Sequence, residues 1–282
     1  MSRFINPFTD VGFKRIFGQE FSKPQLLDFL NALLSGERAI TDISFLDKEQ
    51  AAMFDGDRSP IYDILCQTRS GEKIIVEMQN REHPNFKERM VYYGAEAIVR
   101  QGEKGTDWNY EIKAVYVVAF TNFTLTGYSG RLRIDIGLTD ISTGDRFADI
   151  LRLIYLQLPC FNKEAEECEN QFERWIYVLK NMETLNRMPW AAQNSVFQRL
   201  AEIAEVSAMT KEERMKYDGA LKRYRDTLNS LRGAEQKGRA EGRAEGEAKA
   251  NRDNARRMKE LGIEIDVISQ VTGLTTEEIA AL

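Results

Sequence analysis

Two apolar runs separated by a short polar stretch predict a β-hairpin in the first third of the chain. Residues 61–68 and 73–80 are rich in Ile, Val, Tyr and Thr, and the residues between them have the composition of a tight turn. Each predicted strand carries one acid inside its apolar run, Asp63 in the first and Glu77 in the second. The hairpin would place these two acids side by side.

The chain before this hairpin predicts two helices and a strand. Thr9 or Asp10 can cap a first helix, and Pro24 suits the first turn of a second helix that ends near Gly36. Residues 39–46 alternate as a strand does. The predicted inward residues of the helices are Phe13, Ile16, Phe17, Leu26, Leu27, Phe29, Leu30, Leu33 and Leu34.

The chain after the hairpin predicts one amphipathic helix followed by further strands. The helix covers residues 86–101, with charges between its apolar positions. The predicted strands are residues 112–120, 131–136 and 151–158, and the first is apolar throughout, as in a central buried strand. Turns are predicted at residues 55–57 and 102–106.

The last third of the chain predicts helices. Helical spacing covers residues 163–183, 189–208 and 211–231. A Gly-Arg-Ala-Glu quasi-repeat follows at residues 233–250, and each Gly costs about 1 kcal/mol against Ala, which predicts a marginal helix or a flexible tether. Residues 255–282 predict a small helical segment whose Thr-Thr-Glu-Glu sequence forms a capping box.

Composition and charge limit the chemistry. The chain has three cysteines without C-x-x-C spacing and a single histidine, His83, so a zinc site of ordinary spacing is not expected, and a metal would need oxygen ligands, as Mg²⁺ or Mn²⁺ does. The net charge is −5, but residues 211–260 carry fifteen Lys and Arg against ten Asp and Glu. Such a basic arm can bind phosphates or be a solvated helix. No apolar run is long enough to cross a bilayer, and a cytoplasmic location is expected.

The paired acids carry the strongest functional signal. A carboxylate on a largely buried strand is costly unless its charge is compensated, and a second carboxylate beside it raises that cost. A divalent cation between Asp63 and Glu77 would remove both problems. The alternative is a structural acid pair.

Two motifs resemble the PD-(D/E)XK nuclease superfamily. The first is Asp63 followed by Glu77-x-Gln79 on the next predicted strand, and the second is the D-x-x-F-K-x-x-F-G string that begins at Asp10. The second string is similar to the opening of the recombination-promoting nuclease and transposase branch, and the end of the chain resembles the tail of that branch. The resemblance covers roughly residues 1–160.

The resemblance implies a fold for the first part of the chain, and the helical pattern that follows it completes the domain organisation. The expected fold is α/β (α+β), with a restriction-endonuclease-like αβββαβ core, a mixed central sheet and a helical C-terminal region. We expect a nuclease-like domain at residues 1–160 and a helical cap or dimerisation region at residues 161–232. A charged helical linker at residues 233–254 and a small segment at residues 255–282 would follow. The helical tail would form a homo-oligomer, a dimer in the simplest case.

The resemblance also implies roles at the metal site. Asp63 and Glu77 would bind Mg²⁺ or Mn²⁺, and the carbonyl of Met78 would be the third ligand. The family's usual lysine is Gln79 here, which cannot act as a base but can orient a water by hydrogen bonds. Asp10 is the candidate for a helix-borne acid, with Glu20 as its alternative.

Positive charge near the site is expected from Lys14 or Arg89, or from a second metal. Arg89, Tyr92 and Tyr93 resemble positions that face the site or the DNA backbone, although each can equally be a packing or surface residue. Lys14 can likewise be a plain surface charge, and His83 a plain loop histidine.

Two functions therefore remain in view. The first is a metal-dependent DNA endonuclease that acts in recombination or transposition. The second is a catalytically weak or inactive protein of the same fold that binds DNA or protein partners. The pair Asp63 and Glu77 favours the first function, whereas Gln79 and the net negative charge of the chain outside residues 211–260 favour the second.

Overall fold

The computed structural model describes residues 2–49, 61–103 and 108–282, in two compact units, Met1–Leu221 and Lys222–Leu282. The turn predicted at residues 55–57 and part of the turn predicted at residues 102–106 lie outside the described residues. Each unit is described by itself below.

A six-stranded mixed sheet forms the centre of the first unit. Its strands are β1 (Ile43–Phe45), β2 (Ile64–Thr68), β3 (Lys73–Gln79), β4 (Val115–Thr121), β5 (Arg133–Thr139) and β6 (Arg146–Gln157). They lie in the order β1-β2-β3-β4-β6-β5, and the β3–β4 and β4–β6 pairs are parallel while the others are antiparallel. The predicted hairpin is the β2–β3 pair.

Helices cover both faces of this sheet. They are α1 (Asp10–Phe17), α2 (Lys23–Leu33), α3 (Phe86–Val99), α4 (Gln171–Asn181) and α5 (Ser195–Ala204). Helix α3 supplies the crossover that the parallel β3–β4 pair requires. The predicted αβββαβ order and mixed sheet are confirmed.

Several boundaries differ from the predicted ones for local reasons. The helix predicted at residues 163–183 begins only at Gln171, because the Asn170 side chain caps it by accepting from the Glu173 N–H. In the same way, Asn194 caps the later helix by accepting from the N–H groups of its first turn. The last predicted strand is longer, since β6 starts at Arg146 and pairs with β5 beyond the sheet core.

Two apolar clusters hold the sheet from its two sides. On one side the aromatic rings of α1, α2 and α4 meet the central strand, with centroid separations of 5.1–6.2 Å. These rings belong to Phe13, Phe17, Phe29, Phe120 and Trp175. On the other side α3 packs against the strands through Phe86, Met90 and Ala97. Side chains of α1 and α3 can therefore approach the same end of β3 from opposite faces.

The second unit is helical. It contains most of α6 (Lys211–Glu260), then α7 (Ile265–Thr272) and α8 (Thr276–Ala280). Its small core is Ala255, Ile268 and Ile279, and Thr275 forms the predicted capping box with Glu278.

The glycine-containing stretch at residues 233–254 lies within one continuous α-helix, α6, so the helical alternative is the one observed. Exposed ion pairs four residues apart support it, including Glu235 with Arg239 and Arg243 with Glu247. Among the described helices, none has an apolar stretch long enough to cross a membrane.

Candidate metal centre

The two acids predicted from the hairpin pattern lie opposite one another. Ile64 pairs with Val76 in the antiparallel register, which places Asp63, one residue before β2, across from Glu77 in β3. Asp63 therefore lies one residue before the strand, whereas the sequence had predicted it within the strand. Glu77 is 3% exposed, and Asp63 is partly buried.

Backbone hydrogen bonds hold both carboxylates in place. The Asp63 N–H donates to Glu77 Oε1 at 3.1 Å, and the Met78 N–H donates to Asp63 Oδ2 at 2.9 Å. In a β-strand the N–H and C=O of one residue point to the same edge. The Met78 carbonyl therefore faces the same edge of β3 as its N–H, the edge on which Asp63 lies.

Burial makes it unfavourable for Asp63 and Glu77 to be negatively charged at the same time. Burial raises the pKa of Asp63, and burial together with the negative charge of Asp63 raises the pKa of Glu77 to about 8. Each carboxylate accepts a backbone hydrogen bond that favours its charged form, but burial outweighs this. A nearby positive charge would therefore favour the charged forms of both groups.

A lysine of α1 supplies positive charge at the edge of the site. Lys14 Nζ lies 3.8 Å from Asp63 Oδ1 and also pairs with Asp10, four residues before it. The cap of α1 is Thr9, whose side chain accepts from the Gly12 N–H, so Asp10 is not the cap and its carboxylate is turned to Lys14. Asp10 reaches the site through Lys14, whereas Glu20 is exposed in a 3-10 turn.

An arginine of α3 meets the site from the other face of the sheet. Gln79 Nε2 donates to Glu77 Oε2 at 3.1 Å, and Arg89 Nη2 donates to Gln79 Oε1 at 2.6 Å. Tyr93 lies one turn further along α3, with its ring 5.9 Å from the Arg89 guanidinium. The structure thus brings together the predicted residues of the hairpin, of α1 and of α3.

Two predicted residues lie further out. Tyr92 is 54% exposed on the outer side of α3. His83 lies in the loop before α3 and accepts a hydrogen bond from Arg81 Nε at 3.2 Å. Partial burial and the nearby charges of Arg81 and Arg89 lower the pKa of His83, so it is neutral near pH 7.

Sequence reasoning missed one residue that assembles the site. Asn80, directly after β3, donates from Nδ2 to the carbonyl of Phe8 at 2.7 Å and so ties the end of β3 to the segment entering α1. A polar residue directly after a buried strand was the available signal, but its partner is 72 residues away in sequence.

The donor set fits a hard divalent cation. The described residues contain no group of three or more His, Cys, Asp and Glu side chains placed to hold a metal. They offer instead two carboxylates and the Met78 carbonyl, all oxygen donors. Mg²⁺ commonly binds proteins through one or two carboxylates and keeps several waters, so this smaller set suits it.

The mixed sheet with flanking helices and an acid pair at a strand end define a protein of the PD-(D/E)XK nuclease class. The sequence profile of the PD-(D/E)XK nuclease family transposases matches residues 7–234. The chain belongs to this family, and its function is of the nuclease and transposase type. Comparisons with curated proteins and with solved structures found no match.

Proposed function

We propose that the protein is a metal-dependent DNA endonuclease that hydrolyses phosphodiester bonds. The observation that carries this proposal is the acid pair at a buried strand end, in which the Asp63 N–H holds the Glu77 carboxylate and the Met78 N–H holds the Asp63 carboxylate. Buried acids in this arrangement favour a bound cation, and membership of a nuclease family supports DNA as the substrate.

The metal would be held by Asp63, Glu77 and the Met78 carbonyl. When bound, Mg²⁺ or Mn²⁺ supplies charge stabilisation for phosphoryl oxygens and lowers the pKa of a coordinated water. Met78 and Asp63 backbone N–H groups keep the two carboxylates oriented, so little reorganisation is needed on metal binding.

Lys14 and Gln79 would act on the substrate from two sides. Lys14 places a positive charge beside Asp63, where it can attract a phosphate oxygen. Asp10 holds the Lys14 ammonium in that position. Gln79 presents amide N–H groups beside Glu77, which can orient a water or a phosphate oxygen by hydrogen bonding.

The test is cleavage of supercoiled plasmid with Mg²⁺ or Mn²⁺, comparing the wild type with Asp63→Ala and Glu77→Ala. Glu72→Gln is a matched control, because Glu72 is also a buried acid of the β2–β3 hairpin but pairs with Arg38 at the turn end. We expect metal-dependent nicking by the wild type and the control, and none by the two site variants.

Equal cleavage by all four proteins would indicate contamination and contradict the site. No cleavage by the wild type, together with no rise in melting temperature on adding metal, would favour a binding protein of the same fold.

A further inference from the structure

The side chain of Arg89 is partly buried, with its Nε inside the protein and its guanidinium near two aromatic rings. Its guanidinium carbon lies 5.8 Å from the ring centroid of Phe86 and 5.9 Å from that of Tyr93. These aromatic residues lie three positions before and four positions after Arg89, so all three share one face of α3. Cation–π contacts of this kind hold the guanidinium in place before any ligand arrives.

The contact between Arg89 and Gln79 determines which way the Gln79 amide points. Arg89 Nη2 lies 2.6 Å from the Gln79 amide, and an arginine can only donate hydrogen bonds. The amide atom that faces Arg89 must therefore be the oxygen. The amino group then faces Glu77, with Nε2 3.1 Å from Oε2.

This orientation makes Gln79 a donor toward the site. An amide nitrogen carries two N–H groups, and Glu77 takes one of them, which leaves the second for a ligand. The positive charge of Arg89 on the amide oxygen also polarises the group and strengthens its N–H groups as donors.

Arg89 has a further donor for which the described residues provide no partner. Its Nε is buried and makes no hydrogen bond within the described part of the chain. An unsatisfied buried donor is costly for stability, so its presence beside the acid pair is not explained by folding alone.

We propose that Arg89 is a positioning residue that fixes the Gln79 amide as a hydrogen-bond donor to the scissile phosphate, so that the Arg89–Gln79 pair takes the place of the motif's lysine. This rests on the proposed nuclease activity. Of the two roles that the sequence predicted for Arg89, this one is closer to a residue facing the site than to a DNA-backbone contact, because the guanidinium is turned to Gln79 and lies near the rings of Phe86 and Tyr93.

The need for Arg89 is greatest when metal is bound. In the metal-free protein the hydrogen bond to a Glu77 carboxyl oxygen also holds the Gln79 amino group in this orientation. A cation on Glu77 would engage that carboxylate and weaken the attraction, and the amide could then rotate. Arg89 keeps the oxygen turned away from the site in both states.

The experiment compares kcat and KM for DNA nicking in wild type, Arg89→Met, Arg89→Lys and the double variant Gln79→Lys with Arg89→Met. Methionine keeps the stem that packs between the rings and removes the charge. We expect Arg89→Met to lower kcat by about 10- to 100-fold, the range typical for losing a hydrogen-bonding partner just outside a metal site, with KM changed less than about twofold. Arg89→Lys should recover part of kcat, because lysine can donate one hydrogen bond.

The double variant is the rescue test. A lysine at position 79 brings its own charge and donor, so it should not need Arg89, and kcat should rise well above that of Arg89→Met. Lys87→Met is the matched control, since Lys87 is an exposed cation of the same helix that does not contact Gln79. Its kcat should equal that of the wild type.

A readout that does not depend on activity is the side-chain amide resonance of Gln79 in ¹⁵N-labelled protein, assigned by its loss in Gln79→Leu. We expect the two amide protons to be shifted from ordinary exposed values in the wild type and to move toward them in Arg89→Met. An unchanged Gln79 resonance in Arg89→Met would overturn the proposal.

The kinetic outcomes distinguish a failure of the positioning role of Arg89 from a failure of the proposed nuclease activity. An inactive wild type would refute the nuclease activity, whereas an active wild type with an unaffected Arg89→Met would refute only the positioning role. A rise in KM, a smaller salt dependence and no rescue by lysine would instead show that Arg89 contacts the DNA backbone.

Discussion

Replacing Glu77 by glutamine should abolish metal binding and at the same time stabilise the metal-free protein. Glu77 is 3% exposed, and burial beside Asp63 raises its pKa to about 8, from an ordinary value of 4.5. A raised pKa means that the fold favours the neutral carboxyl. The stability that protonated Glu77 contributes is complete below pH 4.5 and is lost as the pH rises through about 8.

The size of the effect follows from the pKa shift and one hydrogen bond. Each pH unit above 4.5 costs the wild type about 1.4 kcal/mol, which amounts to about 3 kcal/mol at pH 7. Glutamine avoids this cost, but its amino group would face the Gln79 amino group, which Arg89 holds in place. Losing that hydrogen bond costs about 1 kcal/mol. The net gain is about 2 kcal/mol at pH 7 and close to zero at pH 5.

The assay is thermal unfolding of the metal-free wild type and Glu77→Gln from pH 5 to pH 8. A gain of about 2 kcal/mol corresponds to roughly 4–8 °C in Tm for a unit of about 200 residues. Adding Mg²⁺ at about 100 times its Kd should stabilise the wild type by about 2.7 kcal/mol and leave the variant unchanged. Inactivation accompanied by a higher Tm cannot be attributed to misfolding.

The matched control is Glu72→Gln, for which the opposite sign is expected. Burial opposes the charge of Glu72, but the hydrogen bond from Thr68 and the charge of Arg38 prevail and lower its pKa. Its stabilisation is present above its ordinary pKa, so the variant should be less stable at pH 7. A Glu77→Gln protein that is destabilised at pH 7 to the same extent as Glu72→Gln would refute the reasoning.

Three further changes test other parts of the structure. Lys14→Met should lower kcat for DNA nicking by about 10- to 100-fold at unchanged Tm, because it removes a charge beside the acid pair, and an unchanged kcat would exclude Lys14 from the chemistry. Gly12→Ala should lower unfolding free energy by about 2 kcal/mol, measured in urea, since its Cβ would lie 2.2 Å from the Asn6 carbonyl oxygen. Thr275→Ala should reduce hydrogen-exchange protection in the second unit by about 1 kcal/mol through loss of the capping box with Glu278, and equal protection would show that the cap is dispensable.

The parts of the fold that the sequence could predict are those with a local signal. The hairpin follows from two β-prone runs around a polar turn, and its antiparallel register then determines that Asp63 faces Glu77. The fold class followed from element order and motif position together. The capping box at Thr275 was equally local, since all of its partners lie within four residues.

Other features were not predictable in the same way, either because two local signals compete or because the partner is distant in sequence. Thr9 and Asp10 both have side chains that can accept from the backbone N–H groups of the first turn of α1, and the sequence does not say which one does. In the structure the Thr9 side chain accepts from the Gly12 N–H. The long helix α6 was ambiguous because the helix cost of its glycines opposes the benefit of its ion pairs. The link from Asn80 to Phe8 joins segments that nothing in the local sequence connects.

The replacement of the usual lysine by Gln79 shows why a motif has to be considered together with its surroundings. Taken alone, a neutral amide at this position suggests a weakened site. The structure adds Arg89, ten residues away on α3, whose guanidinium donates to the Gln79 amide and polarises it beside the acid pair. The positive charge that the motif lacks on β3 therefore lies next to Gln79, on a helix, while Lys14 of α1 brings a second charge beside Asp63.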